Sequence, residues 1–248
     1  MEEKRRVMKK AIVSLKELLE AGVHFGHQVR RWNPKMKPYI FCVKDNIHIF
    51  DLAQTAKKLT EACKFVEKLG SEGKTLVFVG TKRQAKKIVE KEAVRCGAKF
   101  VSKRWIGGLL TNFEQVDKNV KKLTELKEKK KAGEFEKLTK KEQLLIDREI
   151  EKLEGFYGGL KDLEELPGAL FIIDAKKQEG AVKEAKRKKI PLVAICDSNA
   201  DPEGVDFLIP GNDDAVKAIE LYCKLVADAY LKGKQKYQKK TDKDESND

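Results

Sequence analysis

Long hydrophobic runs are missing from this sequence. The longest, such as residues 192–196, are far too short to cross a bilayer. The first fourteen residues carry charge but lack the apolar segment of a secretory signal. Proline is scarce as well, with 6 residues in 248, and 41% of the chain is hydrophobic, enough to bury a real core. We therefore expect a soluble, globular, cytoplasmic protein.

Paired cysteines are also missing. The chain has 5 cysteines, an odd number, and none of them form a C-x-x-C pair. They are Cys42, Cys63, Cys96, Cys196 and Cys223. Neither a disulfide framework nor a cysteine zinc site is indicated, and a reducing compartment fits best.

The sequence leaves one possible metal site open, because all 3 histidines lie in one short segment. His24, His27 and His48 could form a zinc site with Cys42. The more ordinary interpretation makes them hydrogen-bonded loop residues or contacts to phosphate. We expect no metal and no other cofactor.

Nucleotide and hydrolase fingerprints are absent. Neither G-x-G-x-x-G nor G-x-x-x-x-G-K-[ST] occurs, although residues 80–83 lie between a predicted strand and helix, where α/β folds bind phosphate. Asp174 and Asp197 follow predicted strands, with Ser198 next, but there is no G-x-S-x-G elbow. N-capping of a following helix explains the positions of both aspartates equally well. An enzyme acting on a nucleotide or sugar phosphate stays open as the alternative.

Positive charge is what the chain has in excess, with 53 Lys and Arg against 40 Asp and Glu and a net charge of +13. The excess lies in four segments, with net charges of +6 at 1–40, +8 at 74–104, +5 at 176–189 and +5 at 232–240. The remainder of the chain is acidic. This polarisation is typical of a protein with a polyanionic partner.

The apolar pattern alternates between buried strands and amphipathic helices. Continuous apolar strands are predicted at 75–79, 98–102, 169–173, 191–195 and 207–210. Helices are predicted at 52–69, 84–96, 178–188 and 213–231, the last behind an Asn-Asp-Asp cap. The alternation predicts a doubly wound α/β fold, with a mostly parallel sheet and helices on both faces.

The N-terminal part has a different pattern. Ser14 and Glu17 form a capping box that predicts a helix from about 14 to 21, ended by Gly22. The stretch after it has neither helical nor strand periodicity and is interpreted as an ordered loop leading into a strand pair, with residues 47–50 as the second strand.

Residues 113–157 contain no strand candidate and interrupt the alternation. Their apolar positions follow coiled-coil spacing, at Phe113, Val116, Val120 and Leu123 and again at Ile146, Ile150, Leu153 and Tyr157. Gly133 separates the two runs, and Thr139 with Glu142 caps the second. We expect an antiparallel coiled-coil helical hairpin whose nearly balanced charges are solvated.

The domain organisation follows from these patterns. Residues 1–112 and 158–231 are predicted to form a single α/β domain, and 113–157 an inserted hairpin. Residues 232–248 are low in hydrophobicity and highly charged, which predicts a disordered tail.

The segment 30–37, Arg-Arg-Trp-Asn-Pro-Lys-Met-Lys, is the first candidate for RNA contact. Its cations suit phosphates, and an aromatic ring beside them can stack on a base. Asn33 and Pro34 stiffen the loop. The alternative is that Trp32 anchors the core and that the cations are merely solvated.

A second cation-aromatic stretch occupies 102–112. Lys103 and Arg104 precede Trp105, and two glycines follow. The glycines allow close approach to a partner, but they also suit a tight turn with Trp105 packed inside. Both interpretations stay open.

Six ordered motifs resemble the bacterial ribosomal protein S2 family. They are EAGVHFGH (20–27), RRWNPKM (30–36), IHIFDL (47–52), FVGTK (78–82), RWIGGLLTN (104–112) and VAICDSNADP (193–202). The resemblance spans about residues 13–231. The charged extension before Ala11 and the tail after Leu231 lie outside it.

The resemblance implies a flavodoxin-like domain with a protruding coiled-coil hairpin, on the back of the small ribosomal subunit near the junction of head and body. It implies small-subunit rRNA and neighbouring ribosomal proteins as partners, a role in subunit assembly and in docking the large ribosomal protein S1, and no catalytic residue. No membrane and no small-molecule substrate are expected. The expected RNA contacts are His24, His27, Arg30, Arg31, Trp32, Asn33, Lys35, Lys37, Lys82, Arg83, Lys103, Arg104, Trp105 and Asn112.

Overall fold

A computed structural model describes residues 12–245 of the chain. Its strands are β1 (Phe25–Gln28), β2 (Ile40–Lys44), β3 (Ile47–Phe50), β4 (Leu76–Val79), β5 (Lys99–Val101), β6 (Ala169–Ile173), β7 (Leu192–Cys196) and β8 (Phe207–Pro210). Its helices are α1 (Leu15–Glu20), α2 (Leu52–Ser71), α3 (Lys86–Cys96), α4 (Phe113–Lys131), α5 (Lys140–Tyr157), α6 (Glu179–Lys188) and α7 (Val216–Glu245).

The central sheet has five parallel strands in the order β5-β4-β6-β7-β8. Counted along this sheet, the order is 2-1-3-4-5, the flavodoxin-like arrangement, with its switch point between β4 and β6. The predicted parallel α/β fold is therefore confirmed. Continuous apolar runs revealed the strands because both faces of each strand are covered: every residue of β4, β6 and β7 is buried.

Two hydrophobic cores lie on the two faces of this sheet. Successive side chains of a strand point to opposite faces, so Phe78 and Phe171 pack edge to face on one side, with ring centroids 5.1 Å apart. The helices α2, α3 and α7 cover that side. Val77 and Ile172 point to the other side, which α6 and the base of the α4–α5 pair cover. The helices thus lie on both faces, as the sequence predicts.

A second, antiparallel sheet has the order β1-β3-β2. The strand pair β2–β3 is confirmed, but β1 was predicted as loop. Its pairing with β3 is irregular between Phe25 and Gln28, and its exposure does not alternate. A strand held by an irregular register leaves no period of two in the sequence, so periodicity alone missed it.

The helices α4 and α5 pack against each other in opposite directions. Asn119 near the start of α4 donates to the Tyr157 hydroxyl at the end of α5, and Lys130 pairs with Asp147 at 2.7 Å. Val116, Val120 and Leu123 are buried in the core that α4 shares with the sheet. Thr139 and Glu142 form the predicted capping box of α5. The supercoiling of a true coiled coil stays a prediction.

The prediction of a disordered tail from residue 232 is wrong up to residue 245, because α7 continues through this segment. Lys236 forms an ion pair with Glu67 of α2, and Lys234 donates to the carbonyl of Gly97. The two helices approach closely at Gly70 and Gly233, where a Cβ on Gly233 would lie 2.2 Å from the Glu67 carbonyl. A packed helix can continue into a charged segment once one end is anchored, which composition does not reveal.

Some sequence predictions fall outside the described residues, namely the extension before Ala11 and the last three positions of the tail. Among helices within 12–245, none is long and apolar enough to span a membrane. The cysteines are all free thiols, buried except for Cys42.

Replacing Gly233 with Ala should destabilise the protein by about 2 kcal/mol, because the new methyl group would force α7 away from α2. Urea unfolding measures the loss, and limited proteolysis should cut sooner after residue 231. Gly107→Ala is the matched control, because a Cβ there meets nothing within 4 Å. Unchanged stability and proteolysis in Gly233→Ala would contradict the helix packing described for residues 232–241.

Candidate RNA interface

The carboxyl ends of parallel strands meet at one edge of a sheet, and here they bring four charged residues together. Lys82 follows β4, Asp174 follows β6, Asp197 follows β7 and Asp213 follows β8. All four are buried. This edge is where α/β enzymes bind their ligands, so its polar contacts decide what remains available to a ligand.

Lys82 is surrounded by carboxylates rather than exposed. Its Nζ lies 2.8 Å from Asp174 Oδ2, 2.6 Å from Asp213 Oδ1 and 2.7 Å from Asp214 Oδ1. Burial by itself lowers the pKa of Lys82, but the surrounding carboxylates outweigh it and raise the pKa above its ordinary value. The sequence predicts Lys82 as an RNA contact, but its ammonium is enclosed by the protein's own acids and is not exposed to a partner.

Asp174 and Asp197, the two candidate catalytic acids, also form contacts within the fold. Asp174 adopts a positive φ of 67°, and its Oδ1 accepts a hydrogen bond from the Lys177 N–H at 2.8 Å while Oδ2 faces Lys82. Asp197 Oδ1 accepts from the Ser198 N–H and Oγ–H and from the His27 N–H. Asp174 thus stabilises the turn before α6, whose N-cap is Gln178, and Asp197 holds the N-terminal sheet, so the expected helix N-capping is wrong for Asp174.

The N-terminal sheet is attached to the carboxyl end of β7. The His27 N–H donates to Ser198 Oγ at 2.8 Å, and the Asn33 N–H donates to the Ser198 carbonyl at 2.7 Å. Gly26 permits this approach, since a Cβ there would lie 3.0 Å from Ser198 Oγ and 3.1 Å from the His48 carbonyl. The loop that follows β1 is therefore fixed in place.

The loop 30–37 is ordered by its own side chains. Asn33 Oδ1 accepts from the Lys35 N–H at 3.0 Å and starts a 3-10 turn over Pro34–Tyr39. Met36 is fully buried beneath it. The half-buried Trp32 ring stacks on His48, with centroids 4.9 Å apart. The tryptophan thus partly anchors the loop, and one part of its ring remains accessible.

The cations of this loop differ in their surroundings. Arg30, Arg31 and Lys37 are exposed, and Arg30 Nε donates to Gln28 Oε1 at 3.0 Å. Lys35 instead forms ion pairs with Asp201, at 3.0 Å, and with Glu203. Those carboxylates partly neutralise Lys35, so it is less available to phosphate than its neighbours.

A groove lined by four cations and three acids lies between this loop and α6. Trp32 and Pro34 form one side, and Lys176, Lys183 and Lys186 line the other. No residue of α6 was singled out from the sequence, although the charge count had marked 176–189 as basic. Combining that count with the position of a helix after a strand end could have found these lysines.

One carboxylate holds the loop 103–112 in place through hydrogen bonds. Glu184 of α6 accepts hydrogen bonds from the Trp105 indole at 3.1 Å, from the Gly108 N–H at 2.8 Å and from the Leu110 N–H at 3.0 Å. It also accepts from Thr111. Trp105 is 9% exposed, which favours the alternative that it packs inside. Its ring offers little surface for stacking on a base.

The polar residues around that tryptophan remain outside. Lys103 and Arg104 are exposed, with the Lys103 Nζ 5.0 Å from the centre of the Phe156 ring. Asn112 is exposed at the start of α4, and Arg83 is exposed after β4. None of these four side chains forms an ion pair with another residue in the described part of the chain, so their polar groups face solvent.

The structure does not bring the alternative zinc ligands to one point within residues 12–245. His48 is buried under Trp32, Cys42 is exposed on the edge strand β2, and the His24 ring lies tilted against the Phe25 ring with centroids 4.0 Å apart. Burial lowers the pKa of His24, so it is less readily protonated. Of the three histidines, His27 alone forms ion-pair contacts with side chains of residues 12–245, and these are aspartates.

The exposed cations therefore follow the carboxyl edge of the sheet. Arg30 and Arg31 lie near the end of β7, Arg83 follows β4, and Lys103 and Arg104 follow β5. Three strand spacings separate β7 from β5 in the sheet order, a distance of about 14 Å. A polyanion lying along this edge can contact all of these segments.

Two comparisons with known proteins find similar ribosomal proteins. A family model described as ribosomal protein S2 matches residues 18–233. Over 230 residues the chain is 48% identical to the small ribosomal subunit protein uS2 of Bdellovibrio bacteriovorus, covering 93% of this chain and 74% of that relative. Both matches include the loops 30–37 and 103–112.

Replacing Glu184 with Gln should cost about 2 kcal/mol of unfolding free energy, because a charged acceptor of several hydrogen bonds is lost. Burial raises the pKa of Glu184, but the N–H donors outweigh it and the net pKa is lowered. Its stabilisation is therefore present above the ordinary glutamate pKa and is lost as pH falls through the lowered one. Denaturant unfolding from neutral to acidic pH measures this, and the difference from the wild type should shrink in acid.

Glu179→Gln is the control on the same helix, since Glu179 is exposed and pairs only with Lys183 in the described part of the chain. Its effect should stay within about 0.5 kcal/mol. Equal losses in the two variants would show that Glu184 does not hold the loop.

Proposed function

The chain belongs to the ribosomal protein S2 family, and from that membership we propose that it binds small-subunit rRNA along the carboxyl edge of its sheet. As a member of this family it is a component of the small ribosomal subunit, acts in translation within a ribonucleoprotein, and is not an enzyme. The family match is the observation that carries the proposal. The cytoplasmic ribosome is its proposed location.

The proposed RNA surface consists of the cations that the fold leaves exposed. Arg30, Arg31 and Lys37 provide one part of it, and Arg83, Lys103 and Arg104 provide the other. Phosphate contacts by Lys and Arg supply most of the affinity of such a surface, and they do not require a particular base sequence. The accessible part of Trp32, with Asn33 beside it, adds stacking and hydrogen bonding.

Several other predicted contacts have smaller roles in this proposal. His24 and His27 position the N-terminal sheet. Lys35 is partly neutralised by the acids beside it. Asn112 adds a polar contact at the end of the loop 103–112. In their place we add Lys176 and Lys186 from the groove between residues 30–37 and α6, and we leave out Lys183 because it pairs with Glu179.

We further propose that the pair α4–α5 is a coiled-coil arm, inserted into the single α/β domain, that contacts a neighbouring ribosomal protein. Its end exposes Leu138, Leu144 and Leu145, whose exposed fractions are 37%, 50% and 55%. Clustered apolar side chains at the end of a charged helix pair favour a protein partner over RNA. Support of subunit assembly and docking of the large ribosomal protein S1 belong to this proposal.

Replacing Arg30 and Arg31 with Ala should weaken binding to small-subunit rRNA about tenfold or more and flatten its salt dependence. Each phosphate contact contributes a slope of about 0.7–0.9 in a plot of log affinity against log salt, so the double variant should lose about 1.5. Filter binding at several salt concentrations measures both quantities.

The double variant Lys57→Ala and Lys64→Ala is the control, because it removes the same charge from exposed positions of α2. Its slope should remain close to that of the wild type. If the Arg30 and Arg31 variant keeps the wild-type slope, these residues are not phosphate contacts.

Sedimentation tests the function at the level of the cell. In a sucrose gradient under conditions that separate ribosomal subunits, the chain should be found with the small subunit. Small subunits depleted of the chain should also carry less S1, and a normal S1 content would remove the docking role alone. Recovery of the chain only at the top of the gradient would contradict the family-based function.

A further inference from the structure

Beside Lys82, one histidine and three aspartates form a group that could hold a metal ion. His27, Asp197, Asp213 and Asp214 each offer one atom, and these atoms all lie within 4.8 Å of one another. They come from three separate segments: β1, the end of β7 and the turn before α7. His27, Asp197 and Asp214 line a surface depression that also contains Arg30 and Arg31, and this depression gives a route from solvent.

The two oxygens of Asp213 and of Asp214 have different surroundings. Oδ1 of each carboxylate contacts Lys82, at 2.6 Å and 2.7 Å. Oδ2 of Asp214 instead lies 3.5 Å from His27 Nε2. Oδ2 of Asp213 is buried with no hydrogen-bond partner in the described part of the chain, although the residue is only 1% exposed. A buried carboxylate oxygen without a partner is costly and needs a cation or a donor.

The histidine is oriented as a metal ligand would be. Asp197 Oδ2 lies 3.0 Å from His27 Nδ1, and Asp197 Oδ1 is fixed by the backbone and hydroxyl of Ser198. When Nδ1–H donates to a carboxylate, the lone pair of a neutral imidazole resides on Nε2. This carboxylate-histidine arrangement recurs behind metal ions in proteins, where it fixes the ring and increases its basicity.

The charges of the cluster favour a cation. Four carboxylates, Asp174, Asp197, Asp213 and Asp214, surround one lysine and one histidine. Lys82 and a protonated His27 would together balance only two of these four carboxylates. A divalent cation would neutralise the excess where the partnerless oxygen lies.

We propose that His27 Nε2, Asp213 Oδ2 and Asp214 Oδ2 form a binding site for a divalent cation of the zinc type, with Asp197 as the residue that orients His27. A nitrogen with two carboxylate oxygens suits zinc, whereas magnesium favours oxygen ligands and keeps its water. A tetrahedral zinc ion holds its ligand atoms about 3.3 Å apart, so small side-chain rotations complete the site. The open side leaves the fourth position to solvent.

Such an ion would connect the N-terminal sheet to the turn before α7. Binding should therefore stabilise the protein, and it stands independently of the RNA proposal because it needs only the free chain. This site differs from the zinc alternative in the sequence, which shared only His27 with it.

Equilibrium dialysis of the purified full chain against zinc chloride, after removal of metals by a chelator, should show one ion per chain bound at His27. The melting temperature should rise with zinc concentration, and magnesium chloride at the same concentrations should have a far smaller effect. His27→Gln and Asp214→Asn should each lower zinc affinity at least tenfold, and Asp197→Asn should lower it by a smaller factor.

His24→Gln and Asp147→Asn are the matched controls, since they remove a histidine and an exposed aspartate from positions outside the cluster. Both should bind zinc as the wild type does. Circular dichroism of each variant without metal checks that it is folded, and Asp214, which is half exposed, is the substitution best tolerated. The proposal would be overturned if the chain did not bind zinc, or if it bound magnesium with equal affinity. Zinc binding that is unchanged in His27→Gln and Asp214→Asn would overturn it as well.

Discussion

The ammonium group of Lys82 is the interaction on which the arrangement of the carboxyl edge depends. Lys82 follows β4, and its ammonium neutralises three carboxylates that follow two other strands, Asp174 after β6 and Asp213 and Asp214 after β8. Without it, mutual repulsion would separate these segments, because buried like charges destabilise one another strongly. With it, the turn before α7 stays against the end of β4 and α7 can pack along α2 and α3.

The ion pairs between Lys82 and these carboxylates also explain why an α/β fold with this strand order need not bind a small molecule at its switch point. In flavodoxin-like domains, ligands occupy the crevice beyond the strand ends where the order reverses, here between β4 and β6. Lys82 and Asp174, the residues after those two strands, contact each other across it. The protein's own side chains fill the position of a ligand, and its exposed cations lie on the surrounding loops.

The sequence predicted the sheet well because each central strand is buried on both faces and therefore has a continuous apolar run. It predicted the surface less well, because a cation looks the same in a sequence whether it is exposed or enclosed. Lys82 and Arg83 are neighbours, yet one is buried among acids more than ninety residues away along the chain and the other is exposed. Trp105 was ambiguous for the same reason, since its partner Glu184 lies on α6. Such long-range pairs leave no local period to detect.

The two loops proposed to contact RNA are held by the same device, a carboxylate that accepts several N–H donors. Asp197 fixes β1 and the loop after it, and Glu184 fixes residues 105–111. Each acid keeps its negative charge directed inward, where donors neutralise it, so neither opposes the cations that the loop exposes. Binding a polyanion then costs little ordering of the backbone, because the protein has already ordered it in folding. The acids that the sequence offered as catalytic candidates or as ordinary surface charge thus act by positioning basic loops.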